Sequence, residues 1–592
     1  MAAADTPASK QAPKPAADYG LLGRILTEAR PYRTWLLTAA ALAIASAPLA
    51  ALRPRLVQSM VDDYIIAFDL AGLQRMTLII AGVLVCEALV RYGFTYITNW
   101  LGQSVVRDLR DKVFRHITSL RLTYFDRTPI GTSTTRTIND IQTINTVFTD
   151  GGIAIIADVL VVVVVLGIMF SISWRLTLIC LTTVPLLVVA SYVFKEKVKA
   201  AFQVVRTQIS RMNAFLQERI SGMAIVQAFN AEAQEAERFR AINREYTQAN
   251  LDNIFYYAIF FPVVEILSAT SLGLMVWWGA RGVIGGEVSL GVLVAFPLYL
   301  NMLFRPIRTL ADKFNTLQMG LVAADRVFKV VDRTDQIQDD GHLAPATLRG
   351  EIEFDDVTFA YVEAEWVLEQ VTFSLAAKQT LAIVGSTGSG KSTIINLLNR
   401  FYEIQRGQIR LDGEPLGDYS LEYLRSRLAI VLQDVFLFGG SVLDNIRLAD
   451  ESISRERVVE AAKLIGAHDF IERLPGGYDH EVHERGATLS MGQRQLISFV
   501  RALVFDPDIL ILDEATSSID PESEAVIQYA IERLIERRTS IVIAHRLATI
   551  RHADKILVLD KGRVVEFGTR EELLAIEDGH FRELWEMQYV EA

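Results

Sequence analysis

Apolar residues come in long runs in the first half of the chain and in short runs in the second. Residues 35–52 carry no charge over 18 positions, close to the roughly 20 that a helix needs to cross a bilayer. Pro48 lies inside this run, a placement that membrane helices tolerate. Further long runs cover residues 76–106, 151–170, 176–194, 253–280 and 288–304. The pattern therefore predicts six spans. The links between spans one and two, three and four, and five and six are short. The other two, residues 107–149 and 195–252, are long and charged at helical spacing. Their excess of Lys and Arg makes them cytoplasmic, and both termini with them. A helix continuing about 25 residues beyond the bilayer projects roughly 35 Å, far enough to carry force into the membrane.

From residue 351 the pattern changes to short β-like runs alternating with helices: 352–359, 371–375, 381–384, 430–432, 509–512, 541–543 and 555–559. Alternation of this kind predicts an α/β domain. The expected organisation is multi-domain. A disordered cytoplasmic tail covers 1–17, rich in Ala, Pro and Lys. An all-α six-helix transmembrane domain covers 18–332, a polar linker 333–350, and an α/β P-loop ATPase domain 351–592. Residues 19–33 mix Leu and Ile with Arg and Glu at helical spacing, which predicts a short amphipathic helix along the membrane surface.

Composition agrees with a membrane protein of several domains. The chain has 592 residues, 51% of them hydrophobic, too many for one core. A net charge of −11 argues against nucleic acid as a partner, because phosphate backbones require basic surface. Cys86 and Cys180 are far apart in apolar segments, so both read as buried packing residues with no disulfide. Three acids fall inside spans: Glu87, Asp158 and Glu265. A charge at mid-bilayer costs about 2.5–3.5 kcal/mol on insertion scales, so each needs a partner or a watery cavity. Glu87 has Arg91 four residues on, an ion-pair spacing. Asp158 and Glu265 have no evident partner and are candidates to line a substrate cavity that favours cationic amphipaths. A buried interhelical hydrogen bond is the structural alternative.

The chemistry centres on Gly385, Ser386, Thr387, Gly388, Ser389, Gly390, Lys391, Ser392 and Thr393. They fit the P-loop pattern between an apolar strand and a helix. Glycines let backbone N–H groups cradle phosphates, and the following helix points its positive end at the same anion. Lys391 is placed for the β- and γ-phosphates, and the Ser392 hydroxyl for Mg²⁺. A second apolar run, 509–512, ends in Asp513 and Glu514. Asp513 suits Mg²⁺, a hard ion that takes oxygen ligands. Glu514, one residue on, suits polarisation of an attacking water.

With these residues in place, the second half resembles the nucleotide-binding domain of an ABC transporter. Leu489, Ser490, Met491, Gly492 and Gln493 resemble the family signature, which usually has Gly where Met491 stands. Gln433 resembles the Q-loop glutamine, and Ser517 to Asp520 the D-loop. His545 resembles the switch histidine, Tyr361 the aromatic that stacks on adenine, and Glu484, Arg485 and Gly486 the loop before the signature. Six spans with a fused ATPase resemble a type IV exporter half-transporter. Tyr124, Phe125 and Asp126, followed by Gly131 and Arg136, resemble its first coupling-helix region, and residues 222–232 the segment after the second.

The resemblance implies an ATP-driven exporter of amphipathic small molecules or lipids, multi-pass in a bacterial inner membrane, working by alternating access. ATP and Mg²⁺ are the implied cofactors, with Ser392, Gln433 and Asp513 at the metal and Glu514 and His545 catalytic. The partner is a second half-transporter, whose ATP would meet Ser490 and Gly492 of this chain. A homodimer is favoured because Met491 is the single departure. The alternatives are one subunit of a heterodimer with unequal ATP sites, a peptide exporter, or a nucleotide-gated regulator on the same fold.

Overall fold

The computed structural model describes residues 19–448, 450–513, 521–544 and 550–590. They form two compact units. One holds the residues up to 119 together with 128–334, and the other holds 120–127 with the residues from 335 onward.

The first unit is helical. Five helical segments are long and apolar enough to cross a membrane: Arg30–Ile65, Leu70–Thr118, Ile130–Ile172, Trp174–Ser221 and Glu232–Ile284. The sixth expected span is the shorter apolar stretch Leu290–Pro306, which opens the 42-residue helix Leu290–Val331. The 49-residue helix Leu70–Thr118 is about 74 Å long at 1.5 Å per residue, well beyond a hydrocarbon core of about 30 Å. Its charged end is thus continuous with its apolar span, as the charge pattern predicts.

Small residues hold the bundle together. Ala39, Ala43, Ala47 and Ala51 recur every four residues along one face of Arg33–Ser59, and all four are buried. That spacing makes one stripe, and the missing bulk lets neighbouring helices approach closely. The Tyr299 hydroxyl donates to the Ala51 carbonyl at 3.2 Å, satisfying the phenol inside the bundle.

Three expectations for this unit are corrected. The Tyr19–Glu28 helix turns its apolar face into protein, with Ile25 fully buried in a cluster with Leu109, Val113 and Phe328. Arg24 pairs with Asp332 at 2.5 Å and lies over the Phe328 ring at 4.1 Å. Cys86 is exposed, whereas Cys180 is buried. An apolar run does not say which of its faces meets protein and which meets lipid. Glu87 pairs not with Arg91 but with Arg53 at 3.8 Å, because Arg33–Ser59 packs against Leu70–Thr118 and carries Arg53 across.

The second unit is α/β. Its strands are β1 (Ile352–Phe359), β2 (Leu368–Leu375), β3 (Thr380–Gly385), β4 (Arg406–Leu411), β5 (Glu414–Pro415), β6 (Leu428–Val431), β7 (Gly440–Ser441), β8 (Glu481–Val482), β9 (Ile509–Asp513), β10 (Thr539–Ile543), β11 (Lys555–Asp560) and β12 (Arg563–Gly568). The main sheet runs β12-β11-β3-β10-β9-β6, parallel except for β12. A four-stranded antiparallel sheet runs β2-β1-β4-β5.

The apolar runs of β3, β9 and β10 are continuous because both faces of a parallel sheet are covered. Leu510, Leu512 and Val542 pack with Leu496, Ile497 and Phe499 of the Met491–Val504 helix. Ile509, Ile511, Ile541 and Ile543 face the opposite core with Ile394 and Leu397 of the Lys391–Leu398 helix. The parallel strands therefore hold their carboxyl ends along one rim. In open α/β sheets that rim is where ligands bind.

Candidate functional site

The P-loop leaves β3 at that rim and runs straight into the Lys391–Leu398 helix. Gly390 caps the helix with φ +102°, in the left-handed region that favours glycine. A Cβ there would lie 2.6 Å from the Leu368 side chain and 3.1 Å from the Val367 carbonyl oxygen. Gly385 approaches closely for a different reason, since a Cβ on it would meet the Leu559 carbonyl oxygen of β11.

Lys391 is buried, and its Nζ donates to the Gly385 and Ser386 carbonyl oxygens, both at 2.8 Å. Burial pushes its pKa below the usual lysine range, and the nearby Asp513 carboxylate opposes that shift. A desolvated ammonium held by neutral carbonyls gains from an incoming phosphate. A cavity of about 310 Å³ opens here, lined by Thr387, Gly388, Gly390, Lys391, Ser392, Thr393, Gln433 and Asp513 together with Val367 and Ile543. Residues more than 100 positions apart are thus brought to one site, as the motif reading requires. Ser389 is buried beside it, with no hydrogen bond to its hydroxyl among the described residues.

The donor set can be tested against Mg²⁺. Ser392, Gln433 and Asp513 offer oxygen atoms to the same cavity. That set fits a hard cation which keeps several waters and takes its remaining ligands from phosphates.

Tyr361 stands beside the cavity rather than in it. Its hydroxyl donates to Thr393 Oγ1 at 3.3 Å and accepts from Asn396 Nδ2 at 3.0 Å. Its ring lines a neighbouring cleft of about 210 Å³ with Phe359 and Tyr402. The signature residues lie elsewhere again. Ser490 caps the Met491–Val504 helix, its Oγ accepting from the Gln493 amide at 3.2 Å. Gln493 Oε1 accepts from the Ser490 amide at 2.9 Å, so the Gln493 side chain is spent on a reciprocal cap. Gly492 is buried. Met491 lines a second cavity of about 390 Å³ with Asp434, Phe436, Arg485 and Arg494, and Gln433 lines both. Glu514, Asp520 and His545 lie outside the described residues.

In the membrane unit a cavity of about 570 Å³ is lined by Arg53, Glu87, Arg91, Asp158, Arg305 and Lys313 among mixed apolar and hydroxyl residues. Asp158 is there, as expected, but it has a partner: Lys313 Nζ donates to its Oδ2 at 2.5 Å. The pair is 155 positions apart, so sequence spacing could not reveal it. Glu265 is exposed on the Glu232–Ile284 helix and is not among the lining residues. The lining does not carry the acidic excess that a preference for cations requires.

Comparison with known proteins decides the family. A profile described as ABC transporter transmembrane region matches residues 36–307, and one described as ABC transporter matches residues 368–517. An uncharacterized ABC transporter ATP-binding protein of Bacillus subtilis, YknV, is 38% identical over 97% of this chain and 95% of its own length. The chain belongs to the ABC transporter family. An ATP-dependent lipid A-core flippase of Desulfotalea psychrophila is 36% identical over 96% of this chain and 99% of its own. A probable multidrug resistance ABC transporter ATP-binding/permease protein of Bacillus subtilis, YheH, is 37% identical over 88% and 77%. The transmembrane region and the ATPase are fused in one polypeptide, as in an exporter half-transporter. This ABC transporter is therefore a multi-pass membrane protein that binds ATP and couples its hydrolysis to transport.

Two groups of site residues escaped the sequence reading. Lys313 and Arg53 pair with cavity acids across the bundle. Tyr402 and Arg127 reach Asp126 and Tyr361. The aromatic pair Phe401–Tyr402 soon after the P-loop helix is the one local hint.

Proposed function

We propose that two copies of this chain form an exporter that moves amphipathic small molecules or lipids by alternating access. One observation carries the dimer. Ser490, Gly492 and Gln493 are absent from the lining of the cavity that holds Lys391 and Ser392, although the signature helix presents its N-terminal amides for an anion. A second copy is needed to bring a signature to each P-loop. Ser490 and Gly492 then contact the γ-phosphate of the partner's ATP. Met491 points its side chain to a cavity on the Gln433 side, so its bulk is accommodated beside the phosphate path. This supports the homodimer over a heterodimer with one weakened site.

Within each site Lys391 neutralises the β- and γ-phosphates, Gln433 and Asp513 orient the nucleotide's metal and water, and Glu514 and His545 position the attacking water. Bound Mg²⁺ supplies charge neutralisation of the transferring phosphoryl group. Phosphoryl transfer of this kind is mainly positioning and electrostatics. The membrane cavity offers apolar contacts and both signs of charge, which suits an amphipath with a polar head. Export from the cytoplasm or inner leaflet of a bacterial inner membrane follows from cytoplasmic loops rich in Lys and Arg.

The reading is tested by expressing this chain alone, purifying it in lipid and measuring phosphate release against chain concentration. Turnover per chain is expected to fall on dilution below the dimer affinity. Turnover independent of concentration in a preparation shown to be monomeric overturns the dimer.

A further inference from the structure

The segment 120–127 lies between membrane helices in sequence but belongs to the ATPase unit. Its short Leu122–Arg127 helix is fixed at its start by the Arg121 amide, which donates to the Asp335 carbonyl at 3.1 Å. Arg121 Nε donates to the Gln336 carbonyl at 3.0 Å. The other end of the helix meets two tyrosines. Tyr402 donates its hydroxyl to Asp126 Oδ2 at 2.5 Å, and Arg127 Nη2 donates to the Tyr361 carbonyl at 3.2 Å.

Those tyrosines touch each other and the P-loop helix. The Tyr361 and Tyr402 rings meet edge to face at 4.9 Å and 89°, and both pack on Phe359. Tyr361 is in turn hydrogen-bonded to Thr393 and Asn396 of the P-loop helix. Tyr361 is thus gripped at its carbonyl by one element and at its hydroxyl by another. Any shift of its ring must move Tyr402, because an edge-to-face pair at van der Waals distance has no slack. Burial and the Asp126 carboxylate both push the Tyr402 phenol well above its usual pKa, so it remains a donor throughout the physiological range.

We infer that Tyr402 and Arg127 are positioning residues that report occupancy of the nucleotide-base site to the Leu122–Arg127 helix. Asp126 is the acceptor that reads Tyr402. The ligand feature sensed is the base and not the triphosphate. Phosphates contact the P-loop directly, whereas the route to Asp126 starts at the Tyr361 ring. The inference rests on Tyr361 as the base platform, and the experiment separates the two.

The test uses hydrogen exchange on the full chain carrying Glu514→Gln, with MgATP or magnesium tripolyphosphate. MgATP is expected to slow exchange of peptides covering 121–127 about tenfold by suppressing local opening. Tripolyphosphate is expected to protect 385–393 but not 121–127. Adding Tyr402→Phe, which keeps the ring and removes the hydroxyl, is expected to abolish ATP protection of 121–127 while leaving that of 385–393. Asp126→Ala is expected to give the same pattern from the other side. Equal ATP protection of 121–127 with and without the Tyr402 hydroxyl overturns the inference. So does equal protection of that segment by tripolyphosphate. Separately, Tyr361→Leu is expected to weaken binding of ATP but not of tripolyphosphate. If ATP affinity is unchanged there, the base platform fails. If affinity falls but Tyr402→Phe changes nothing, the relay alone fails.

Discussion

Glu514→Gln is expected to slow ATP turnover by a factor of about 10²–10⁴, the range removed with a general base, while ATP binding is retained. The argument runs from the strand. β9 is an unbroken apolar run whose side chains enter both cores of the ATPase unit, so its register is fixed by packing on two faces. That register delivers Asp513 to the cavity holding Lys391, Ser392 and Gln433. Glu514 follows by one residue, and its neutral isostere keeps shape while losing the ability to accept a proton. Phosphate release and equilibrium ATP binding, measured on the same lipid-reconstituted sample, check the split. Turnover within threefold of wild type assigns the base elsewhere.

Lys391→Ala is expected to weaken ATP binding by about 10–150-fold, the factor for about 1.5–3 kcal/mol lost with a hydrogen bond to a charged group. Lys391 is buried and already desolvated, so the folded chain has met most of the cost of dehydrating it before a phosphate arrives. Truncation also strips the Gly385 and Ser386 carbonyls of their donor, and some loss of stability accompanies it. Isothermal binding of MgATP, with a melting curve of the nucleotide-free chain as control, separates the two effects. Wild-type affinity in a folded Lys391→Ala chain means the phosphates bind elsewhere.

The strands that carry the site were legible because a parallel core strand is apolar on both faces. β3, β9, β10 and β11 each show as a continuous run. The antiparallel strand β4 and edge strand β12 were not, because each exposes one side. Arg406–Leu411 and Arg563–Gly568 interleave charge with apolar residues, and that pattern reads equally as a loop. The P-loop cavity was legible because its phosphate-binding groups lie within nine consecutive residues. The partners of membrane acids were not. Lys313 reaches Asp158 and Arg53 reaches Glu87 from other helices, and helix-to-helix register leaves no trace in spacing along one helix. The lone i,i+4 pair of Glu87 and Arg91 misled for the same reason. It supplied a local partner where the bundle supplies a different one. The Tyr402–Asp126 contact joins residues 276 positions apart, and only the fold brings them together.

The most direct test of this account is ATP-driven movement of an amphipath by this chain alone. Proteoliposomes containing only this chain and its Glu514→Gln variant would be loaded with a tail-labelled fluorescent phospholipid. The fraction of label in each leaflet would then be followed by chemical quenching after MgATP addition. The account predicts ATP-dependent redistribution by the wild-type chain and none by Glu514→Gln. Robust ATP hydrolysis by the wild-type chain with no redistribution of this lipid, or of any labelled amphipath in a panel of both charges, would contradict it.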